Sequence, residues 1–381
     1  MKKLSTLLSD EERLRIDNLF GISRNRNSTN GFLSEIMKII RRKRPLVGKD
    51  LPFTITPLSD GFVQVWIQTP PCRYSQMGRC TICNYWKGNR IPNVLDELLQ
   101  KCTVPDDCDT LLINTCGGCL DSYELPKEEQ EKLFDWINKQ KCHSVIFETY
   151  ADTLTPVVIG HIRDSIPNKE IYFEFGMESV SEDVLRYCLN KHLPKLPVEQ
   201  IADNVHNIGG KLIANVVLGV PFLNQREQVE DAVVSIQTLI KNNIDYITLF
   251  PINVKPYTLT EIMYKNGLYD LVTGNMIIDV LSEIPTQNLP RINISWYGER
   301  TETGLVTPYY CPKCQRRLVQ LFYDFNSAVS MDDRKIFFDK MIGEKCVCQQ
   351  RKNTFEDMSF SKRLEYGYQK IKELVCEEES N

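Results

Sequence analysis

The chain has 381 residues, with 42% apolar and 25% charged side chains and a net charge of −4. That length suffices for one large buried core with an appendage, and the ordinary composition excludes a low-complexity chain. The slight acidity excludes a global positive field that would draw nucleic acid by charge alone.

The N-terminal stretch, MKKLSTLLSDEERLRID, turns charged before any apolar run reaches signal-peptide length, and no segment approaches a membrane span. We therefore expect a cytoplasmic protein with no membrane partner. Its 14 cysteines then point to metal or redox chemistry and not to disulfides. Residues 1–50 read as a helical extension, and the basic run Arg41-Arg42-Lys43-Arg44-Pro45 as a solvated helix end.

From 51 to 300, short apolar runs alternate with amphipathic stretches. Strands are predicted at 62–68, 110–114, 144–147, 170–175, 211–219, 245–250 and, as a seventh, 291–296. Helical periodicity occupies 128–141, 197–208 and 226–241. This alternation means βαβ units and a parallel sheet. The expected fold is α/β, a partial (β/α)6 barrel with its chemistry at the C-terminal ends of the strands.

Unusual residues stand at those ends. Cys72, Cys80 and Cys83 follow the first predicted strand as C-x7-C-x2-C. Three thiolates on one loop can hold three irons of a [4Fe–4S] cluster and leave the fourth open. S-adenosylmethionine suits the open iron, because its amino and carboxylate groups can chelate it. A zinc site short of one ligand is the bland alternative. Gly117 and Gly118 allow close backbone approach to the methionine end of that cofactor. Glu148 and Glu178 emerge from apolar strands and need a partner, either a ribose hydroxyl pair, an ammonium or a neighbouring Lys or Arg. Ser179 and Asn253 complete the candidate cofactor set. Cys116 and Cys119 read as small buried residues beside the glycines, with part of a second metal site, a redox pair or a thiyl-forming residue as the alternatives. The four histidines show no ligand spacing.

Residues 301–381 hold a second cysteine set, Cys311-Pro312-Lys313-Cys314 and Cys346-Val347-Cys348, followed by a terminal helix. Two chelating pairs read as a structural zinc site, with an auxiliary [4Fe–4S] cluster as the alternative.

Several strings in chain order resemble a known family. They are the C-x7-C-x2-C loop with Asn84-Tyr85, Asn114-Thr115-Cys116-Gly117-Gly118-Cys119-Leu120-Asp121, Phe147-Glu148-Thr149, Gly176-Met177-Glu178-Ser179, Leu189-Asn190-Lys191 and Leu218-Gly219-Val220-Pro221. The chain looks like a radical SAM enzyme, in the group of the archaeosine synthase radical SAM subunit. That group is related to the Elongator catalytic subunit and the tRNA methylthiotransferases. The resemblance implies reductive cleavage of S-adenosylmethionine to a 5′-deoxyadenosyl radical, which takes hydrogen from substrate. It further implies a C–N lyase step on a lysine adduct of a 7-deazaguanine base in tRNA. A ferredoxin or flavodoxin would donate electrons, and a partner subunit would present the tRNA. A radical SAM enzyme tailoring a small metabolite, natural product or peptide is the alternative. A zinc-dependent tRNA-binding module is the non-enzymatic one.

Overall fold

A computed structural model describes residues 7–25, 29–42, 53–85, 94–295, 297, 309–311, 313–345 and 357–379. Its centre is one eight-stranded sheet: β1 (Phe53–Ser59), β2 (Phe62–Ile67), β3 (Thr110–Thr115), β4 (Ser144–Thr149), β5 (Glu170–Glu178), β6 (Lys211–Leu218), β7 (Tyr246–Pro251) and β8 (Ile292–Ile294). The spatial order follows the sequence order. β2 to β8 run parallel, whereas β1 pairs antiparallel with β2. Residues of all eight strands border one cavity, so the sheet curls around it. β1 and β8 are the open edges. The expected partial barrel is thus present, with β1 added in front of it.

The strands form where the sequence places them because their outward residues bury against helices. Val145 and Phe147 of β4, Ile171 and Phe173 of β5 and Leu212 and Ala214 of β6 are fully buried in one apolar core. Helices Lys127–Lys139, Pro156–Ser165, Val198–His206 and Gln225–Lys241 connect successive strands. Their apolar stripes, including Leu133, Ile137, Ile162, Ile201 and Ile236, belong to that same core. Asn224 caps the longest of them, and Glu227 closes a capping box.

A second apolar core lies on one flank. Helices Asp10–Phe20 and Gly31–Arg42 meet the terminal helix Phe360–Glu379 there, through Ile16, Leu33, Met37, Leu364 and Tyr368. The fully buried Arg363 ties this helix to the barrel: it donates to the Phe222 carbonyl (2.7 Å) and pairs with Glu227. The expected boundaries near 50 and 300 both fall outside the described residues.

Candidate functional site

β2 delivers the chain to the cysteine loop. A short helical turn, Arg73–Gln76, follows Cys72, and Gly78 (φ 79°) and Cys80 (φ 60°) reverse the backbone in left-handed conformations. The Cys72 amide donates to the Tyr85 carbonyl at 3.1 Å and closes the loop. Cys72, Cys80 and Cys83 border the cavity, whose volume is about 870 Å³. That is at the upper end of the range for small-molecule sites.

Arg41 is not a solvated helix end. It is buried, and its guanidinium donates to the carbonyls of Ser75, Arg79 (2.8 Å), Cys80 (3.2 Å) and Cys83 (3.4 Å). The basic run thus ends in a clamp on the cysteine loop. Arg42 is exposed, and residues 43–45 lie outside the described residues.

The donor set suits a thiolate-bound cluster. Burial pushes the Cys72 and Cys80 thiols up, Cys80 to about 12, so neither ionises without a counter-charge. Three cations, the buried Arg41 and Lys255 and the half-buried Lys191, supply it: Arg41 acts on all three thiols, Lys191 on Cys80 and Cys72, and Lys255 on Cys83. The Cys72 sulfur also contacts the Tyr150 hydroxyl at 3.0 Å. Among the described residues, no group of three or more His, Cys, Asp or Glu stands at metal-holding distances.

The cavity floor is the inward face of the sheet, and it is polar across its width. Gln64, Asn114, Glu148, Glu174, Asn215 and Thr248 all line it. Glu148 and Glu174 stand opposite each other in the β4–β5 register. Burial and the Glu174 charge push the Glu148 carboxyl up to about 8, and burial also raises Glu174. Asn253 is buried on the same wall, and neither of its amide atoms has a hydrogen-bond partner. A buried amide left unpaired is costly, which fits a ligand in this cavity.

The other candidate residues divide between cavity and scaffold. Glu178 lines the cavity at a bulge in β5, with φ 65°, and pairs with Lys191 at 2.7 Å. Gly117 lines the cavity, whereas the Gly118 amide donates to Glu124 at 2.8 Å. A Cβ on Gly117 would lie 2.1 Å from both the Glu124 carboxylate and the Tyr150 hydroxyl. These glycines therefore make room for Glu124, which stands in the family-like string Glu124-Leu125-Pro126, and for Tyr150, which nothing in the sequence singled out. Cys119 is fully buried and Cys116 nearly so, and burial pushes both thiols up.

Ser179 turns away from the cavity. It is fully buried, and its hydroxyl donates to Asp231 at 2.8 Å. Burial raises the Asp231 carboxyl to about 7, well above the ordinary carboxylate range. The folded state therefore holds a proton that the unfolded chain releases near pH 4. Stability conferred by the neutral acid is full below pH 4 and is lost as pH rises through 7. We expect Asp231→Asn to melt higher than wild type at pH 8, by a few kcal/mol of stability, with the difference vanishing near pH 4. Thermal melts across that range check it.

At the C-terminal end, Cys311 and Cys314 form a tight turn. The Cys311 sulfur accepts from the Lys313 amide (3.4 Å), which pulls this thiol down, and the Cys311 carbonyl accepts from the Cys314 amide (3.0 Å). Helices Gln315–Ser327 and Met331–Gly343 follow and pack on each other. Cys346 and Cys348 lie outside the described residues. No helix among the described residues is long and apolar enough to cross a membrane.

No protein-family model matches the chain. It is 26% identical over 207 residues to archaeosine synthase subunit beta of Thermococcus kodakarensis, across 52% of this chain and 61% of the relative. It is 25% identical over 220 residues to archaeosine synthase subunit beta of Methanosarcina acetivorans, across 56% and 63%. The alignments thus span about three fifths of the length of these curated relatives. Among solved structures, queuine lyase from Clostridium spiroforme bound to SAM and queuine superposes with a TM-score of 0.39 and 20% identity, covering 52% of this chain and 79% of that one. With a C-x7-C-x2-C loop at the mouth of a curled parallel sheet, the chain is similar to archaeosine synthase subunit beta over about half of its length.

Proposed function

We propose that Cys72, Cys80 and Cys83 hold a [4Fe–4S] cluster and that the cavity beside them takes S-adenosylmethionine and a substrate of the archaeosine type. The observation that carries this is the three-cysteine loop opening into a cavity of about 870 Å³, with three cations acting on its thiols. Cluster and S-adenosylmethionine together supply a 5′-deoxyadenosyl radical that removes hydrogen from the substrate. The chain's own part is placement. Arg41 fixes the loop, Tyr150 and Glu124 hold Cys72, and Asn253 and Glu178 offer polar contacts to the cofactor.

The archaeosine-type reading, a C–N lyase step on a modified 7-deazaguanine base, rests on the two relatives named subunit beta. By the same likeness, a second subunit presents the tRNA and a ferredoxin or flavodoxin supplies electrons. The cysteine turn at 311–314 is assigned to a structural zinc completed by Cys346 and Cys348. An ion pair between Arg317 and Glu344 (3.0 Å) supports this, because it brings the chain just before Cys346 next to the turn just after Cys314.

The test is anaerobic reconstitution of the full chain, with iron and zinc counted and dithionite-dependent 5′-deoxyadenosine measured. About four irons per chain and formation of the nucleoside, both lost in Cys80→Ala, are expected. Absence of iron and of the nucleoside in wild type would overturn the proposal. About eight irons would replace the zinc with an auxiliary cluster.

A further inference from the structure

Four of the described cysteines border the cavity. The cluster assignment uses Cys72, Cys80 and Cys83 and leaves Cys116, just past the end of β3, without a role. The other cysteine of its C-x2-C string, Cys119, is fully buried in the apolar core around the barrel. The string therefore presents a single thiol to the cavity and not a dithiol.

That thiol is held in place. The Cys116 amide donates to the Thr69 hydroxyl at 3.3 Å, and the buried Gln68 side chain donates to the Cys116 sulfur at 3.6 Å. Burial pushes the thiol up to about 11, so it keeps its hydrogen at neutral pH. A second observation points to a ligand in the same space. Asn253, 1% exposed, lines the cavity with both amide atoms unpartnered, a cost that a bound molecule removes.

A cleavage begun by hydrogen abstraction ends with a fragment that carries one unpaired electron, and a hydrogen atom must close it. An S–H bond is weaker than a C–H bond, so a thiol gives its hydrogen to a carbon radical, whereas a serine hydroxyl does not. We propose that Cys116 is a catalytic residue that donates its thiol hydrogen atom to the carbon radical left after the substrate is cleaved. The inference rests on the reading of this cavity as the seat of the radical chemistry and adds the step that ends each turnover. A C–H bond forms on the product, the S–H bond breaks and the unpaired electron passes to sulfur. One electron from the iron–sulfur or flavin carrier that reduces the cluster, with one proton from solvent, restores the thiol. The hydrogen that enters the product is thus solvent-derived.

The test uses the anaerobically reconstituted full chain, equilibrated in D2O, with S-adenosylmethionine, dithionite and no substrate. In the empty cavity the 5′-deoxyadenosyl radical stands in for the substrate radical as the carbon centre that the thiol quenches. Mass spectrometry reads deuterium per molecule of 5′-deoxyadenosine, a ratio independent of how fast a variant turns over. Wild type should incorporate one deuterium. The deuterated fraction should fall at least about tenfold in Cys116→Ser, the ratio set by about 1.4 kcal/mol between competing barriers. It should stay at the wild-type level in Cys119→Ser. A nitrone spin trap added to the wild-type reaction should leave its adduct on Cys116 in peptide maps, a readout that decides even if the variants do not load iron. Nucleoside without deuterium, an undiminished deuterated fraction in loaded Cys116→Ser, or trap adducts confined to other residues would overturn the inference and leave the radical reading standing. No nucleoside from wild type removes the radical reading and the inference with it.

Discussion

Arg41→Met should give a chain that folds but does not load its cluster. The guanidinium is the only group described here that touches four carbonyls of the cysteine loop, those of Ser75, Arg79, Cys80 and Cys83. Charge-assisted bonds of this kind contribute about 1.5–3 kcal/mol each, and orphaned buried carbonyls add their own desolvation cost. Removing the group also deletes a cation that acts on all three thiols. A loss of about 3–5 kcal/mol is therefore expected, concentrated in the loop and not in the main core, which Arg41 does not enter. After reconstitution, iron should fall from about four per chain to below about one. The melting temperature of the metal-free protein should change much less. Arg41→Lys should sit between the two, since a single ammonium cannot span four acceptors. Full iron content in Arg41→Met would remove the clamp from the account.

Much of the barrel was legible because its signals are local. The apolar runs at 110–114, 144–147 and 211–219 alternate with helical stripes, and each became a strand of the expected parallel sheet. The Asp60-Gly61 turn, with Gly61 at φ 71°, is itself a hairpin signal, and reading it would have found β1. What stayed hidden depends on contacts between distant segments. Arg41 looked like a surface charge because its acceptors begin 34 residues away, at Ser75. Glu174 sits in an apolar strand beside Tyr172, and only the β4–β5 register sets it against Glu148. Ser179 adjoins Glu178 in sequence, yet the bulge at Gly176–Glu178 alters the register there, and the serine hydroxyl pairs with Asp231. A side chain's direction at a strand end follows the local backbone, which spacing alone does not report.

Gly117→Ala should be a damaging single-methyl change in the site. The added Cβ would stand 2.1 Å from the Glu124 carboxylate and 2.1 Å from the Tyr150 hydroxyl, where real contacts are not shorter than 3.0 Å. Neither neighbour can simply swing aside. Tyr150 donates to Glu124, touches the Cys72 sulfur at 3.0 Å and stacks edge-on against Tyr74, while Glu124 also accepts from the Gly118 and Arg73 amides. Overpacking of this sort costs about 1–3 kcal/mol, and breaking the chain of hydrogen bonds adds about 1 kcal/mol per bond. The expected result is a melting temperature lower by several degrees and a cysteine loop that reconstitutes poorly. Tyr150→Phe in the same chain removes one of the three colliding oxygens, so the double variant should recover part of the loss. A coupling of about 1 kcal/mol or more in that cycle identifies the collision as the cause. Strict additivity would instead mean that Gly117 matters for its own backbone and not for the space it leaves to Tyr150.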